Sequence, residues 1–489
     1  MPLAHQTKCS KRRKDHRMSV PSPTPAPDDT APDAPATPAA PAVDTDATTA
    51  PAPRTPHDDT IALHAGYHPT NAQPRVVPIV QSTTYVYDST AEVASIFDEP
   101  TKSLIYSRFA NPTVMAVEAK IAELEGAPSA GTLCTSSGQA ALMFAVLNIC
   151  SAGDSIVSTS AIYGGTLNLF SITLKRLGIE CVYVDQNAPD DELDAAFGPN
   201  TKLVFAETLA NPALLVLDIE KFAALAHRHG VPLIVDNTFA TPIHCKPIQY
   251  GADIIIHSTS KYMDGHAVQV GGAIVDSGNF DWTNGNFADL TEPDPSYHGL
   301  IYTQAYGRLA YITKARMQLM RDFGAYPAAH SAFLLNLGLE TLPVRMRQYC
   351  ANAQRVAEFL EAQPLVQSVR YPGLPSDPSY ELAQKYLGGR ASGVISFIIK
   401  GNLEKTGRSA KENAIIFMDA LQLTSNQVHV ADIRSCVLHP ASETHRQLTD
   451  EQLVAAGIDP GMIRFSTGLE DIEDILHDIE IGFKAVRES

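Results

Sequence analysis

The sequence is poor in cysteine and in long apolar runs, and both shortages exclude classes of protein. Seven cysteines are scattered over 489 residues, without the CxxC pairs that are typical of zinc sites. An odd and dispersed set of cysteines is typical of reduced thiols, so we expect a cytoplasmic protein. No apolar run in the sequence approaches the ~20 residues that a membrane-spanning helix needs, so we expect no membrane partner.

Basic residues are also in the minority. The chain carries 37 lysines and arginines against 54 aspartates and glutamates, which gives a formal net charge of −17. This balance argues against nucleic acid or an anionic membrane as the main partner. Apolar residues make up 44% of the sequence, which is enough for a large core. The length alone predicts two or three domains.

The first 60 residues differ in composition from the rest. A basic cluster, Lys11–Lys14, is not followed by an apolar segment, so a secretory signal is not expected. Residues 19–57 are mostly Pro, Ala, Thr and Asp, and such a stretch cannot bury enough apolar surface to order itself. We therefore predict a disordered tail over residues 1–60. A docking role for this tail and a later translation start at Met18 both stay open.

From about residue 61 onwards, apolar runs alternate with helical periodicity. Residues Thr113–Glu125 place apolar side chains three and four positions apart, which predicts a helix that Gly126 ends. Strand-like runs follow, with helical stretches between several of them; the strand candidates are 155–158, 181–184, 203–206, 233–235 and 254–256, and the helical stretches are 166–177 and 219–229. This alternation predicts an α/β domain with a mostly parallel sheet.

The pattern changes after about residue 315. Long helical stretches at 344–362 and 470–487 flank strand candidates at 393–399 and 436–438. This pattern predicts a smaller α+β domain that packs against the first one.

Two apolar runs end in chemically useful residues. One leads through Ser258 and Ser260 to Lys261, and the other ends at Asp236. A lysine amine can hold a cofactor aldehyde covalently, and a carboxylate can keep a pyridine nitrogen protonated, which is the arrangement of pyridoxal-phosphate (PLP) enzymes. A lone lysine after a strand is more often a solvated end residue, so the inference rests on both runs together.

Other segments could serve the same site. The loop at Ser137, Gly138 and Gln139 enters a helix, where backbone N–H groups can bind a phosphate. Simple helix capping by a serine would give the same pattern. Tyr163 could stack on a flat ring or fill a corner of the core.

Two arginines stand in unusual places. Arg108, in Tyr106-Ser107-Arg108, precedes the first helix and would suit a phosphate, although a plain surface arginine is equally compatible. Arg464 lies inside an apolar run near the C-terminus and needs a charge partner there. A substrate carboxylate and a structural Asp or Glu are both candidates.

Taken together, these segments resemble the Cys/Met-metabolism family of PLP enzymes over residues 61–487. The stretches that carry the resemblance are YSRFANPTVMAVEAKIAELEGA (106–127), SSGQAA (136–141), YGGTLNLF (163–170), ETLANP (207–212), DNTFATP (236–242), STSKYMDGH (258–266), GGAIVDSGNFDW (271–282), LGLETLPVRM (337–346), HPASETHRQL (439–448) and IRFSTGLED (463–471). Within the family they are most similar to the O-acetylhomoserine sulfhydrylases. The resemblance implies an aspartate-aminotransferase-like fold, with an arm at 61–112, a PLP-binding large domain at 113–315 and a small domain at 316–489.

The resemblance also implies roles for individual residues. Lys261 would hold PLP, Asp236 would pair with the pyridine nitrogen, Asn211 would lie near the ring hydroxyl, and Tyr163 would stack on the ring and assist catalysis. The phosphate would be bound by Ser137, Gly138, Gln139, Ser258 and Ser260, and also by Tyr106 and Arg108 of a neighbouring subunit in a homotetramer. Arg464, Tyr106 and Ser435 would contact the amino-acid substrate.

The activity that the resemblance implies is γ-replacement on O-acetylhomoserine with sulfide or a thiol. Cystathionine γ-synthase, methionine γ-lyase and a non-catalytic PLP-binding protein stay open as alternatives. The chain departs from the usual pattern at Ser260, where Thr is common, and at Glu443, which also replaces Thr. It departs again at His429 and Ala431, which stand where Asn and Gly are common. These departures bear on the acyl donor and the thiol, not on PLP.

Overall fold

Two β-sheets organise the computed structural model, which describes residues 55–98, 104–401, 404, 407–444, 446 and 459–489. The described residues belong to one unit, Thr55–Ser489. Most of the predicted tail, residues 1–54, lies outside the described residues. Residues 58–60 were included in that prediction, and they form the first turn of a helix, Asp58–His64. That helix is tied to the protein by Lys246, which lies 2.6 Å from Asp58, and by Arg347, which lies 2.8 Å from Asp59.

The strands and helices have the following bounds. The strands of the first sheet are β1 Thr132–Thr135, β2 Ser155–Thr159, β3 Glu180–Val184, β4 Thr201–Glu207, β5 Leu233–Asp236, β6 Ile254–His257 and β7 Gly272–Asp276. Those of the second are β8 Val366–Arg370, β9 Val394–Ile399, β10 Ser425–Asn426, β11 Cys436–Leu438 and β12 Met462–Ser466. The α-helices are α1 Asp58–His64, α2 Thr90–Asp98, α3 Pro112–Glu125, α4 Gly138–Leu147, α5 Gly164–Asn168, α6 Asp190–Asp194, α7 Ile219–Arg228, α8 Thr241–His244, α9 Ala288–Thr291, α10 Tyr302–Tyr306, α11 Ala310–Lys314, α12 Arg321–Phe323, α13 Ala329–Glu361, α14 Tyr380–Leu387, α15 Ala410–Ala420 and α16 Ile472–Glu488. Two π-helical segments, Leu169–Leu174 and Ala315–Met320, continue α5 and α11.

The first sheet has the order β1-β7-β6-β5-β4-β2-β3. Strands β2 to β6 pair in parallel, whereas β7 is antiparallel to both of its neighbours. The predicted mostly parallel sheet is therefore confirmed. Because parallel strands end at the same edge, the residues that follow β4, β5 and β6 meet there.

The central strands are apolar on both faces because helices cover both faces. Ile254 and Ile256 belong to one buried cluster, together with Phe205. Ile255 and Val235 point the other way, into a second cluster. Side chains alternate along a strand, so an uninterrupted apolar run supplies both clusters.

The second sheet has the order β10-β11-β12-β9-β8 and is mostly antiparallel. Its inner residues, such as Ile395 and Phe465, join the same buried cluster as Ile255. The long helix α13 contributes Leu335, Leu339 and Leu342 to this cluster. A large α/β domain and a smaller domain with its own sheet are thus present, as predicted.

In the part of the chain that the structure describes, no helix is both long enough and apolar enough to cross a membrane.

Candidate active site

A cavity of about 530 Å³ opens at the carboxyl edge of the first sheet. Ten of the predicted site residues line it, and they come from positions as distant as 137 and 464: Ser137, Gly138, Gln139, Tyr163, Asn211, Asp236, Ser258, Ser260, Lys261 and Arg464. The parallel strands explain this convergence, because Glu207 at the end of β4 stands opposite Asp236 at the end of β5. The sheet and β12 together bring these ten residues into one pocket.

One side of the pocket is a cup suited to a phosphate. Ser137 caps α4, and its hydroxyl accepts the N–H of Ala140 at 3.1 Å. The first N–H groups of a helix have no partners within the helix and attract anions. A Cβ on Gly138 would lie 2.8 Å from the Cβ of Ser258, so only glycine lets the two segments approach this closely. The Ser260 hydroxyl accepts the N–H of Gly271 at 3.0 Å and lies 3.2 Å from the Gly271 carbonyl oxygen, to which it donates. These two bonds fix the position of Ser260 beside the cup.

Asp236 is half-buried and lines the pocket. Burial raises the pKa of this carboxyl group. The N–H of Thr238 donates to Asp236 Oδ1 at 2.9 Å, and the Thr238 hydroxyl accepts the N–H of Ser258 at 2.9 Å. Thr238 thus connects the carboxylate to the phosphate cup, a role that sequence reasoning missed. A cationic ring nitrogen beside Asp236 would offset the unfavourable burial of its charge.

Glu207, next to Asp236 in the sheet, is a buried carboxyl group. Its two oxygens accept the N–H groups of Tyr163 at 2.7 Å and of Asn211 at 3.0 Å. Burial and the neighbouring Asp236 raise the pKa of Glu207 to about 8. Glu207 therefore fixes the backbone at two predicted contacts of the cofactor. Its position after β4 was visible in the sequence, but this positioning role was not.

Lys261 lies in the turn that follows β6. Arg345 of α13 holds this turn by donating to the carbonyl oxygen of Tyr262 at 2.7 Å. Burial and the positive charge of Arg464 lower the pKa of Lys261 to about 8. Its Nζ lies 3.1 Å from Nδ1 of His429. An amine with such a pKa is neutral often enough near pH 7 to act as a nucleophile and a base.

Arg464 projects from β12 and is buried. It donates to Asn211 Oδ1 at 3.3 Å and to the carbonyl oxygen of Val428 at 3.2 Å. Among the described residues, it forms no ion pair with an Asp or Glu, so the structural partner considered from the sequence is not found. Burial lowers the pKa of the guanidinium group. A buried cation without a carboxylate partner suits a substrate carboxylate.

Three predicted residues are not among those that line the pocket. Arg108 packs over the rings of Tyr106 and Phe109, at 5.2 and 5.7 Å from their centroids. Its Nε is buried without a hydrogen-bond partner. Ser435 is buried, and its hydroxyl binds Glu470 at 3.0 Å and the N–H of Gly468 at 2.9 Å. Direct substrate contact by Ser435 stays a prediction, and it would require this hydroxyl to change partners.

Comparison with known proteins places this geometry in a family. Residues 59–484 match the family model described as Cys/Met metabolism PLP-dependent enzyme. The chain belongs to this family. It is 42% identical to an O-acetyl-L-homoserine sulfhydrylase of Leptospira meyeri, over 89% of this chain and 98% of that protein. It is 43% identical to a homocysteine/cysteine synthase of Saccharomyces cerevisiae, over 88% and 98% of the two chains.

A solved structure supports both fold and cofactor. The O-acetylhomoserine (thiol)-lyase of Campylobacter jejuni superposes with a TM-score of 0.82 at 36% identity, covering 88% of this chain and 99% of that one. It carries a pyridoxyl-lysine phosphate residue. In the present enzyme, the phosphate cup at Gly138, the half-buried Asp236 and the Lys261 amine fit PLP. The enzyme is therefore PLP-dependent, and the predicted cofactor is confirmed.

Proposed function

We propose that the enzyme replaces the γ-acetoxy group of O-acetyl-L-homoserine with sulfide or a thiol, giving acetate and homocysteine or methionine. The observation that carries the proposal is the pairing, in one pocket, of a lysine with a lowered pKa and a buried arginine. The relatives named O-acetylhomoserine sulfhydrylase and homocysteine synthase support it.

The substrate would be oriented by its α-carboxylate. Arg464 presents a planar guanidinium group that can donate two parallel hydrogen bonds to a carboxylate. Asn211 already accepts one N–H of this group at 3.3 Å and so limits its rotation. The α-amino end would then lie toward Lys261, which shares the pocket with Arg464.

PLP, when bound, supplies an electron sink that makes the substrate Cα and Cβ hydrogens acidic. Lys261 would then move those protons, because its amine is free once the substrate amine has replaced it. Acetate would leave from Cγ, and sulfide would add there. Asp236 would keep the ring nitrogen protonated, and Thr238 would hold that carboxylate in place.

Tyr163 would cover the cofactor ring and assist proton transfer. Its side chain is 49% exposed, and Glu207 fixes its backbone. A Cβ on Gly165 would lie 2.4 Å from the Tyr163 ring, so a larger residue there would displace the ring. Methionine γ-lyases resemble this chain but usually carry Cys at that position, and Gly165 therefore favours replacement over elimination.

The test is a product assay with O-acetylhomoserine and sulfide, methanethiol, cysteine or no nucleophile. We expect homocysteine or methionine with the first two and little 2-oxobutanoate without a nucleophile. Cystathionine as the dominant product would support the cystathionine synthase alternative. Equal 2-oxobutanoate in all four reactions would support the lyase.

We also propose that the enzyme works as a homotetramer in which Tyr106 and Arg108 reach the phosphate of a neighbouring subunit. The support is that neither residue lines the pocket of its own chain, while Arg108 has an unpartnered buried Nε. The cytoplasm is the proposed compartment, because all six cysteines in the described residues are free thiols.

A mixing experiment tests the shared site. Arg108→Ala should lower PLP affinity roughly tenfold or more, since a charge-assisted hydrogen bond contributes ~1.5–3 kcal/mol. Mixed with Lys261→Ala, it should regain activity, because one site of the hybrid has both residues. Unchanged PLP affinity for Arg108→Ala, without recovery on mixing, would leave Arg108 as a residue of its own subunit.

A further inference from the structure

His429 contacts the amine on which the proposed chemistry depends. Its Nδ1 lies 3.1 Å from Lys261 Nζ, although 168 positions separate the two residues in the sequence. His429 lines the same pocket as Lys261 and Arg464. Where relatives usually carry asparagine, this chain therefore places an imidazole beside the lysine amine.

The imidazole is a neutral acceptor at this contact. Burial and the neighbouring Lys261 cation lower the pKa of His429 to about 4, so the ring is uncharged in the working pH range. A neutral imidazole has one N–H and one acceptor nitrogen. Because an amine has N–H groups in both of its protonation states, Lys261 can always donate to Nδ1. The ring proton then lies on Nε2, which is buried without a partner.

The backbone that carries His429 is fixed by the substrate-binding side of the pocket. Arg464 donates to the carbonyl oxygens of Val428 at 3.2 Å and His429 at 3.5 Å. Cys436 contacts the same His429 carbonyl at 3.4 Å. Two residues further on, the Ala431 N–H donates to the Ser466 hydroxyl at 3.0 Å. The imidazole therefore approaches Lys261 from a segment with little freedom to move.

Ala431, in the same segment, has an unfavourable backbone conformation. Its φ of 69° lies in the left-handed region, which is unfavourable for residues other than glycine. Strained backbone of this kind persists where the surrounding contacts demand it, often at functional sites. Here the strained residue lies two positions after His429, whose side chain contacts Lys261.

We propose that His429 is a positioning residue for Lys261: in every step in which the Lys261 amine is free, Nδ1 accepts one of its N–H groups and aims its lone pair into the pocket. The inference extends the proposed function but does not depend on which donor or nucleophile is used. It also explains the departure from asparagine, because Oδ1 of Asn is an acceptor at the same distance from Cβ as Nδ1 of His.

The test measures how fast Lys261 captures PLP, not how fast the enzyme turns over. Apoenzyme is mixed with PLP, and covalent capture is stopped by borohydride and quantified by mass spectrometry. His429→Leu removes the acceptor at similar size and should slow capture roughly tenfold, the factor that corresponds to ~1.4 kcal/mol. His429→Asn keeps an acceptor and should stay within about twofold of the parent, as a weakened neutral hydrogen bond allows.

A second experiment, in the Lys261→Ala variant, separates positioning of the lysine from binding of the cofactor. In Lys261→Ala, PLP binds without a covalent bond, and adding His429→Leu should leave its affinity unchanged. His64→Asn, at the exposed end of α1, controls for loss of a histidine elsewhere. If His429→Leu does not fold, as judged by its thermal unfolding, His429→Ala takes its place.

Any of three results would overturn the proposal. The first is capture by His429→Leu at the parent rate, and the second is capture by His429→Asn as slow as by His429→Leu. The third is an equal loss of PLP affinity in the Lys261→Ala background, which would mean that His429 supports the cofactor and not the lysine. Failure of the product assay with O-acetylhomoserine would leave both measurements valid, so the two proposals can fail separately.

Discussion

Lys261 has an unusual proton equilibrium for a lysine, and this has a measurable consequence. Burial and Arg464 both disfavour its charged form, so its pKa falls from 10.5 to about 8. Only the neutral amine attacks the PLP aldehyde. The rate of PLP uptake by apoenzyme should therefore rise between pH 7 and 9 and level off above the pKa. A rate that keeps rising toward pH 10.5 would show that Lys261 titrates as an exposed lysine.

Replacing Arg464 tests whether this residue binds the substrate carboxylate. Arg464→Lys keeps a positive charge but cannot form two parallel hydrogen bonds with a carboxylate. The KM for the amino-acid substrate should rise roughly tenfold or more, in line with ~1.5–3 kcal/mol for a charge-assisted bond. Steady-state kinetics with Arg434→Lys as control would check this, because Arg434 pairs with Asp432 and does not line the pocket. An unchanged KM would remove Arg464 from the substrate site.

Residues that end strands could be predicted from the sequence, and residues that depend on distant contacts could not. Lys261 and Asp236 follow apolar runs, and the parallel sheet brings such ends together. The partner of Lys261 is His429, on the segment between β10 and β11 of the second sheet, and no local pattern connects the two. The positions of Arg108 and Ser435 likewise depend on tertiary contacts.

At the scale of elements, the close approach of α4 to the turn after β6 forms the phosphate cup. Gly138→Ala would place a Cβ 2.8 Å from the Cβ of Ser258. Relieving such an overlap costs about 1–3 kcal/mol, so PLP affinity should fall roughly tenfold to a hundredfold. Fluorescence titration of apoenzyme would measure this. Gly198→Ala is the control, since a Cβ there would meet no atom within 4 Å. Equal affinities for the two variants would contradict the cup.

In the first sheet, local sequence patterns predicted the parallel strands better than the antiparallel ones. The five parallel strands were found because each contains an apolar run; the central ones are buried on both faces, whereas β3 at the sheet edge is partly exposed. The antiparallel strands β1 and β7 were not predicted; β1 is short, and two of its four residues are threonines. The helix predicted at 344–362 begins at Ala329 in the structure, and Pro343, a residue that local propensity disfavours inside a helix, lies within it. Packing against the core overrides that local signal.

At the scale of the whole molecule, α1 marks where the described unit begins. A chain that starts at Thr55 should keep its melting temperature and activity, because residues 19–57 have a composition that cannot support a core. A chain that starts at Ala65 lacks α1, including the buried Ile61, and should melt several degrees lower. Thermal unfolding of both chains would check this. A large loss from the first truncation would show that the tail docks.

If Lys261 is the residue that holds PLP in this pocket, chemical reduction must fix the cofactor to it. The most direct measurement is borohydride reduction of the purified holoenzyme, followed by digestion and mass spectrometry of the peptides. We expect the pyridoxyl group on the peptide that contains Lys261, and we expect Lys261→Ala to carry no such label and to have no measurable transferase activity. A label on a different lysine, or normal activity of Lys261→Ala, would contradict the account.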